Sequence, residues 1–284
     1  MDAREETMMI LKQYKVQANK SFGQNFLIDD SVINGIIEAA NLTKQDLVIE
    51  IGPGLGILTS KLLEKAYKVI AIELDTKMVN IISDRFKYYN NLEIINDDIL
   101  KVDLNTLISR EKNSNGKVKI VANLPYYIST PIIMKLLEEK LCIDEIIVMV
   151  QKEVADRLTA VPGTKLSGAI TYAVDYYSEA EQILNVGKDC FIPAPKVDSK
   201  VIKLKLRKQP KIKAMNEEKL FDLIKKVFMQ RRKTLINVLV NTNIVKNKEE
   251  AIKIFNKLKL PNDIRGEVLS LEQYNLLINE IYKN

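Results

Sequence analysis

From residue 31 to about residue 150 the chain alternates short Val/Ile-rich runs with amphipathic segments, and this alternation constrains the fold more than any other feature. "SVINGIIEAA", with Asp30 or Ser31 as its N-cap, is followed by "LVIEIG", "ILTSKLLEKA", "KVIAIEL", "TKMVNIISDRF", "LEIINDD", "KVKIVANL", "PIIMKLLEEK" and "DEIIVMVQ". Apolar strands without polar alternation, each separated from the next by a helix, predict a parallel sheet buried on both faces. The expected class is α/β, a doubly wound Rossmann-like domain whose ligands gather at the carboxyl ends of the strands.

Beyond it, "EAEQILNVGKDCFIPAPKVDSKVIKLKL" reads as further strands around a proline-rich loop, extending the same sheet. The pattern breaks at "RKQPKIKAMN", where Pro210 and a charge run mark a boundary. Then Leu220, Leu223, Ile224, Val227 and Phe228 form one helical stripe, and "RRKTLINVLV", "KEEAIKIFNKL" and "LEQYNLLINEIY" read as helices. The expected organisation is a domain over residues 1–208, with an N-terminal extension over 1–30, and a small all-helical domain over 209–284.

Charge is unevenly distributed. Lys203 to Lys233 holds twelve Lys/Arg and three Asp/Glu, a local +9 against +6 for all 284 residues. This asymmetry suits a polyanion-facing surface, and a solvated helix face is the plainer alternative. There is no histidine, which excludes a Ser-His-Asp or Cys-His arrangement and any His-ligated metal. Cys142 and Cys190, the two cysteines, have no metal-ligand spacing and fit a reduced, cytoplasmic setting. No apolar run approaches the roughly 18–20 residues of a membrane span, and "MDAREETMMILKQYK" lacks a secretion-signal pattern. No metal and no membrane are expected.

"EIGPGLGILT" joins a strand to a helix, and Gly52, Gly54 and Gly56 permit turns and close ligand approach that a side chain would block. Their G-x-G-x-G spacing is one residue short of the dinucleotide fingerprint, and no Gly-Lys-Ser/Thr follows. Glu73 ends the next strand about twenty residues after Gly52, where a carboxylate accepts from ribose hydroxyls. Asp98, in "NDDIL", is placed to accept from an adenine amine. Each acid also has a plainer reading as a helix cap or loop carboxylate. Together the three positions outline an adenosine cleft needing no pyrophosphate, as S-adenosylmethionine (SAM) requires.

"NLPYYIST" closes a later strand. Asn123 offers a side-chain carbonyl and Leu124 a backbone carbonyl, two acceptors able to grip the hydrogens of an exocyclic amine. Pro125 stiffens the turn, and Tyr126 offers a flat face for an extruded base, a stack worth roughly 1–3 kcal/mol. Tyr127 through Thr130 are read as packing residues or as a cap for the next helix. With an already activated methyl group, catalysis is mainly positioning, and the absent histidine is no obstacle.

"NLPY" resembles the Asn/Asp-Pro-Pro-aromatic motif of adenine-N6 methyltransferases, with Leu in place of the first proline. In order along the chain, "SFGQNFL", "EIGPGLG", "NLPYYIS", "QKEVADRL", "FIPAPKVDS", "FMQRRKTLINVL" and "IRGEVLSLEQY" resemble the ribosomal RNA adenine dimethyltransferases of the KsgA/RsmA family over residues 21–274. The resemblance implies a SAM-binding set of Asn25, Leu27, Gly52, Glu73, Asp98 and Asn123, with Gln24 and Gly54 beside them. It further implies that Phe191 closes over the adenine opposite Tyr126, although its residue type alone reads as a core aromatic. "KLSGAITYAV" departs from the family's usual Tyr-Gly pair at that point.

The resemblance implies SAM-dependent dimethylation of N6 on two adjacent adenosines in the 3′-terminal hairpin loop of 16S rRNA, during small-subunit biogenesis. The partner would be 16S rRNA in the small subunit or its precursor, met by a monomer. Arg231, Arg232 and Lys233, in a basic helical segment, are the expected phosphate contacts. An Erm-type 23S rRNA methyltransferase and a non-catalytic RNA-binding assembly factor are the alternatives. A nicotinamide dehydrogenase is disfavoured by the glycine spacing.

Overall fold

The computed structural model describes residues 1–19 and 22–283; Ser21, which opens the "SFGQNFL" block, lies outside them. It divides into two compact units, Met1–Ala155 with Ala180–Leu206, and Asp156–Glu179 with Arg207–Asn284.

The first unit opens with α1 (Ala3–Gln13), β1 (Phe26–Leu27) and α2 (Asp30–Ala40). Four strand–helix pairs follow: β2 (Leu47–Ile51) with α3 (Ile57–Lys65), β3 (Lys68–Glu73) with α4 (Thr76–Arg85), β4 (Leu92–Asn96) with α5 (Leu104–Glu111), and β5 (Val118–Asn123) with α6 (Ser129–Glu138). Then come β6 (Glu145–Gln151) and α7 (Lys152–Leu158), which runs into the second unit with α8 (Ala169–Tyr177). β7 (Ser178–Val186), β8 (Phe191–Ile192) and β9 (Ser199–Leu206) complete the strands.

Among the described residues the main sheet has the order β4-β3-β2-β5-β6-β9-β7. The first five are parallel, and β9 pairs antiparallel with β6. Every residue of β2 is buried, as a strand covered by helices on both faces requires. Succession runs outward from β2 through β3 to β4 and then resumes on the other side at β5. The crevice of a doubly wound sheet opens at that reversal, at the carboxyl ends of the strands. β8 does not extend the main sheet; it pairs antiparallel with β1, Leu27 opposite Phe191.

At the amino ends of the same strands lies a buried charge cluster centred on Lys119, which is 2% exposed. Its ammonium donates to the carbonyls of Ala40 (2.7 Å) and Asn41 (2.9 Å), at the carboxyl end of α2. It also stands 3.4 Å from Asp46 and 3.5 Å from Glu145. Lys203 reaches Glu145 at 3.3 Å and donates to the Ala39 carbonyl at 2.9 Å. Cations at a helix carboxyl end oppose its dipole, so these lysines both pair the acids and terminate α2.

The second unit contains α8, α9 (Glu217–Met229), α10 (Leu235–Asn241), α11 (Lys248–Leu258) and α12 (Leu271–Ile281). α9 buries Leu220, Leu223, Ile224 and Val227, as the stripe predicts. The expected boundary differs in one respect: Asp156–Glu179 belongs to this unit and not to the sheet domain. The tyrosines of α8 are the reason. Tyr172 is fully buried, 5.2 Å from the Tyr274 ring and 5.5 Å from Phe228, and its hydroxyl donates to the Leu269 carbonyl at 2.7 Å. Tyr176 packs edge-on against Phe221. The segment "KLSGAITYAV", which contains Tyr172, therefore supplies core to the helical unit.

Candidate active site

The turn from β2 into α3 is shaped by glycines with positive φ. Gly56 has φ of 79°, and a Cβ there would fall 2.6 Å from the Phe86 ring, so only glycine fits. The Gly54 amide donates to Glu73 Oε2 at 3.1 Å, and the Asp75 amide to Oε1 at 2.8 Å. Both oxygens of Glu73 are thus aimed by backbone, and each retains a lone pair for a ligand hydroxyl. Burial raises the Glu73 pKa, and the two amides partly offset it.

One strand over, Glu50 is 1% exposed, and its Oε2 has no hydrogen-bond partner among the described residues. Burial, with the Glu73 charge nearby, pushes its pKa up to about 8. An unpartnered buried carboxyl oxygen is costly, and its residue lines the same cleft as Glu73. Glu50 was not among the residues singled out from the sequence; its position next to the glycine turn was the available signal.

Asn123 ends β5, and its amide nitrogen donates to the Asn25 carbonyl at 3.3 Å. This bond fixes the assignment of the two ends of the amide, so Oδ1 is the free acceptor. The Leu124 amide is held by the Met149 carbonyl at 3.1 Å, and the Ile128 amide closes the turn on Pro125 O at 3.2 Å. A Cβ on Gly52 would sit 3.9 Å from Pro125, so the glycine turn and the Asn-Leu-Pro-Tyr turn lie side by side. The Tyr126 hydroxyl bonds the Ser199 hydroxyl at 2.6 Å, and Ser199 is 1% exposed. Ser199 is a second residue missed from sequence, because it joins Tyr126 only through the fold.

Gln24, Asn25, Leu27, Gly52, Gly54, Glu73, Asp98, Asn123, Leu124, Pro125 and Tyr126 all line this one cleft. Gln24 has both ends of its amide engaged, accepting from the Asn19 amide and donating to Asp75, each at 2.8 Å. It braces the loop that carries Asn25. Asp98 lies two residues past the end of β4, and one of its oxygens accepts from the Leu100 amide at 3.0 Å.

Three placements differ from expectation. Phe191 does not line the cleft; it is 3% exposed, held in the apolar core across from Leu27. Tyr127 is 60% exposed where packing was expected, with one ring edge against Gly23. Arg231, Arg232 and Lys233 stand in the exposed turn between α9 and α10, not within a helix. Arg231 bonds Glu267 at 2.6 Å, whereas Arg232 and Lys233 have no ion pair among the described residues.

Among the described residues no group of His, Cys, Asp or Glu could hold a metal, and no helix is long and apolar enough to cross a membrane. Neither cysteine is in a disulfide.

A doubly wound sheet, a cleft suited to a nucleoside, and beside it a turn with two acceptors and an aromatic face define a Rossmann-like base methyltransferase. The family model for ribosomal RNA adenine dimethylases matches residues 15–283. The chain is 48% identical over 278 residues to ribosomal RNA small subunit methyltransferase A of Lachnoclostridium phytofermentans, covering 97% of this chain and 96% of that protein. A dimethyladenosine transferase from Plasmodium falciparum superposes with a TM-score of 0.75 at 28% identity, over 90% of this chain and 97% of that one. The 23S rRNA methyltransferase ErmE, at 23% identity and a TM-score of 0.67 over 90% of this chain and 99% of its own, shares the fold. The protein belongs to the ribosomal RNA adenine dimethylase family and is an rRNA methyltransferase.

Proposed function

We propose that the protein uses S-adenosylmethionine to dimethylate N6 of two adjacent adenosines in the 3′-terminal hairpin loop of 16S rRNA, in the cytoplasm, as the small subunit is assembled. The observation that carries this reading is the bond from the Asn123 amide nitrogen to the Asn25 carbonyl. It leaves Asn123 Oδ1 and the Leu124 carbonyl as the acceptors beside the cleft, the pair needed to hold an exocyclic amine.

The residues present fit the cofactor. Glu73 has lone pairs for ribose hydroxyls, the glycine turn admits close approach, and the unpartnered Glu50 Oε2 suits a ligand carrying positive charge. Asn25, Leu27, Asp98 and Asn123 complete the set, and Gln24 holds the loop. The cofactor supplies an electrophilic methyl group. Asn123 and Leu124 take the amine hydrogens and turn the nitrogen lone pair toward that group, while Tyr126, anchored by Ser199, stacks on the base. The amine loses its proton after gaining the methyl, so a strong base is not needed. Extruding the base costs a few kcal/mol, least in a loop.

Arg232, Lys233 and Arg231 of the helical unit supply phosphate contacts, which position RNA without reading its sequence.

The test is transfer of labelled methyl groups from SAM to unmethylated small subunits by wild type and by Asn123→Ala, with the modified nucleotides mapped in 16S and 23S rRNA. Dimethyladenosine in 16S from wild type only is expected. Undiminished transfer by the variant would remove Asn123 from its role, and modification of 23S alone would replace the substrate.

A further inference from the structure

Tyr126 and Tyr127 are consecutive, yet their side chains have opposite fates. Tyr126 is half-buried and tied to Ser199, and Tyr127 is 60% exposed while still lining the cleft. They are the two central residues of the turn closed by the Pro125 carbonyl and the Ile128 amide. An exposed aromatic side chain is common. One that forms the lip of a ligand cleft and is held from beneath is a different matter.

The support under Tyr127 is Gly23. A Cβ there would fall 3.1 Å and 3.3 Å from Tyr127 Cδ1 and Cε1, so the ring edge rests against the bare glycine. Gly23 has φ of 62°, and its carbonyl accepts the Asn25 side-chain amide at 3.1 Å. The Asn25 carbonyl in turn receives the Asn123 amide. The Tyr127 ring is thereby linked, through one short loop, to the acceptor that holds the target amine. Its position is registered to the reacting centre, and its remaining surface faces solvent.

We propose that Tyr127 is a second base platform, which stacks the nucleotide next to the extruded adenosine. The proposal rests on the RNA-methylating reading above and adds a residue to it. Consecutive nucleotides share one phosphodiester, as consecutive residues share one peptide, so a base bound at Tyr126 presents its neighbour at the lip. Stacking accepts any base, so Tyr127 adds affinity and register without reading sequence. With two adjacent target adenosines, the base on the platform during one methylation is the other target, or the nucleotide beyond it.

The experiment compares Tyr127→Ala and Tyr127→Phe with wild type on unmethylated small subunits, with SAM affinity measured separately by calorimetry. In parallel, a short RNA hairpin carries 2-aminopurine beside the target adenosine. The expected result for Tyr127→Ala is a roughly ten- to hundredfold fall in kcat/KM, mostly through KM, with SAM affinity within about twofold of wild type. Tyr127→Phe should retain wild-type values, and wild type and Phe should quench the 2-aminopurine while Ala does not. Wild-type KM for the alanine variant overturns the proposal, as does a loss that Phe fails to rescue. A parallel loss of SAM affinity assigns Tyr127 to the cleft wall and overturns it too. If wild type binds SAM but methylates no small subunit, the functional reading itself fails, and the platform fails with it.

Discussion

At the amino ends of β2, β5 and β6, the Lys119 ammonium is surrounded by two helix-terminal carbonyls and by Asp46 and Glu145, while Lys203 covers Glu145 from the other side. At the carboxyl ends of β2 and β3, Glu50 and Glu73 are also buried, and among the described residues no cation is paired with either. The titration behaviour follows. Burial alone would raise the Asp46 pKa, but the Lys117 and Thr43 amides and the Lys119 charge win, and it is lowered. For Glu50 and Glu73, burial wins and both are raised. An acid completed from within the chain stays charged and is part of the scaffold. Glu50, left without a partner among the described residues, is held in its neutral form up to about pH 8.

The strongest test of that contrast is Lys119→Met. Removing one partner of a buried ion cluster costs about 3–5 kcal/mol, because Asp46 then loses its Lys119 partner and Glu145 keeps only Lys203. Urea unfolding should show this loss, while methyl transfer per folded molecule stays near wild type. A variant with full stability, or with folded protein that has lost activity, breaks the division between the two ends. Asn123→Ala is the reciprocal experiment. Methyl transfer should fall about a hundredfold or more, some 3 kcal/mol of transition-state positioning. The urea midpoint should move little, since the one bond lost is the long one to the Asn25 carbonyl.

The carboxyl end was open to sequence reading and the amino end was not. Glycines, acids and the Asn-Leu-Pro-Tyr turn fall at strand ends, and the period of a doubly wound sheet brings those ends together. Lys119 looks like an ordinary solvated side chain within "KVKIVA", and its partners come from segments far apart in sequence. The same limit hid Asp156–Glu179, whose place in the helical unit depends on tyrosines meeting α9 and α12. Phe191 shows the converse. Only the family resemblance points it to the ligand, while its residue type and its burial in the apolar core carry no such signal.

The acids should also separate the two ends by pH. Glu50 has a folded pKa of about 8 against an ordinary value of 4.5. Its contribution to stability is therefore complete below about pH 4.5 and is lost as pH rises toward 8. Asp46 runs the other way: its contribution is present above its ordinary value of 3.8 and lost as pH falls through the lowered folded pKa. Glu50→Gln should match wild type near pH 4.5 and exceed it by about 3 kcal/mol at neutral pH. Parallel stability–pH curves for the two proteins would mean that Glu50 stays ionised and finds compensation elsewhere.

The smallest expected effect lies at Ser199, and it asks whether the site's stacking face depends on the sheet behind it. The Tyr126 hydroxyl and the Ser199 hydroxyl are within 2.6 Å, and Ser199 opens β9, the strand antiparallel to β6. Ser199→Ala removes a hydrogen bond worth about 1 kcal/mol and leaves the Tyr126 ring without its tether. Transfer should fall a few-fold, with SAM affinity unchanged, since Ser199 lies outside the cofactor set. Tyr126→Phe removes the same bond from its other end and keeps the stacking ring, so the two single variants should match and the double variant should lose no more than either. If the losses instead add, the two hydroxyls act independently, and the tether does not set the aromatic face.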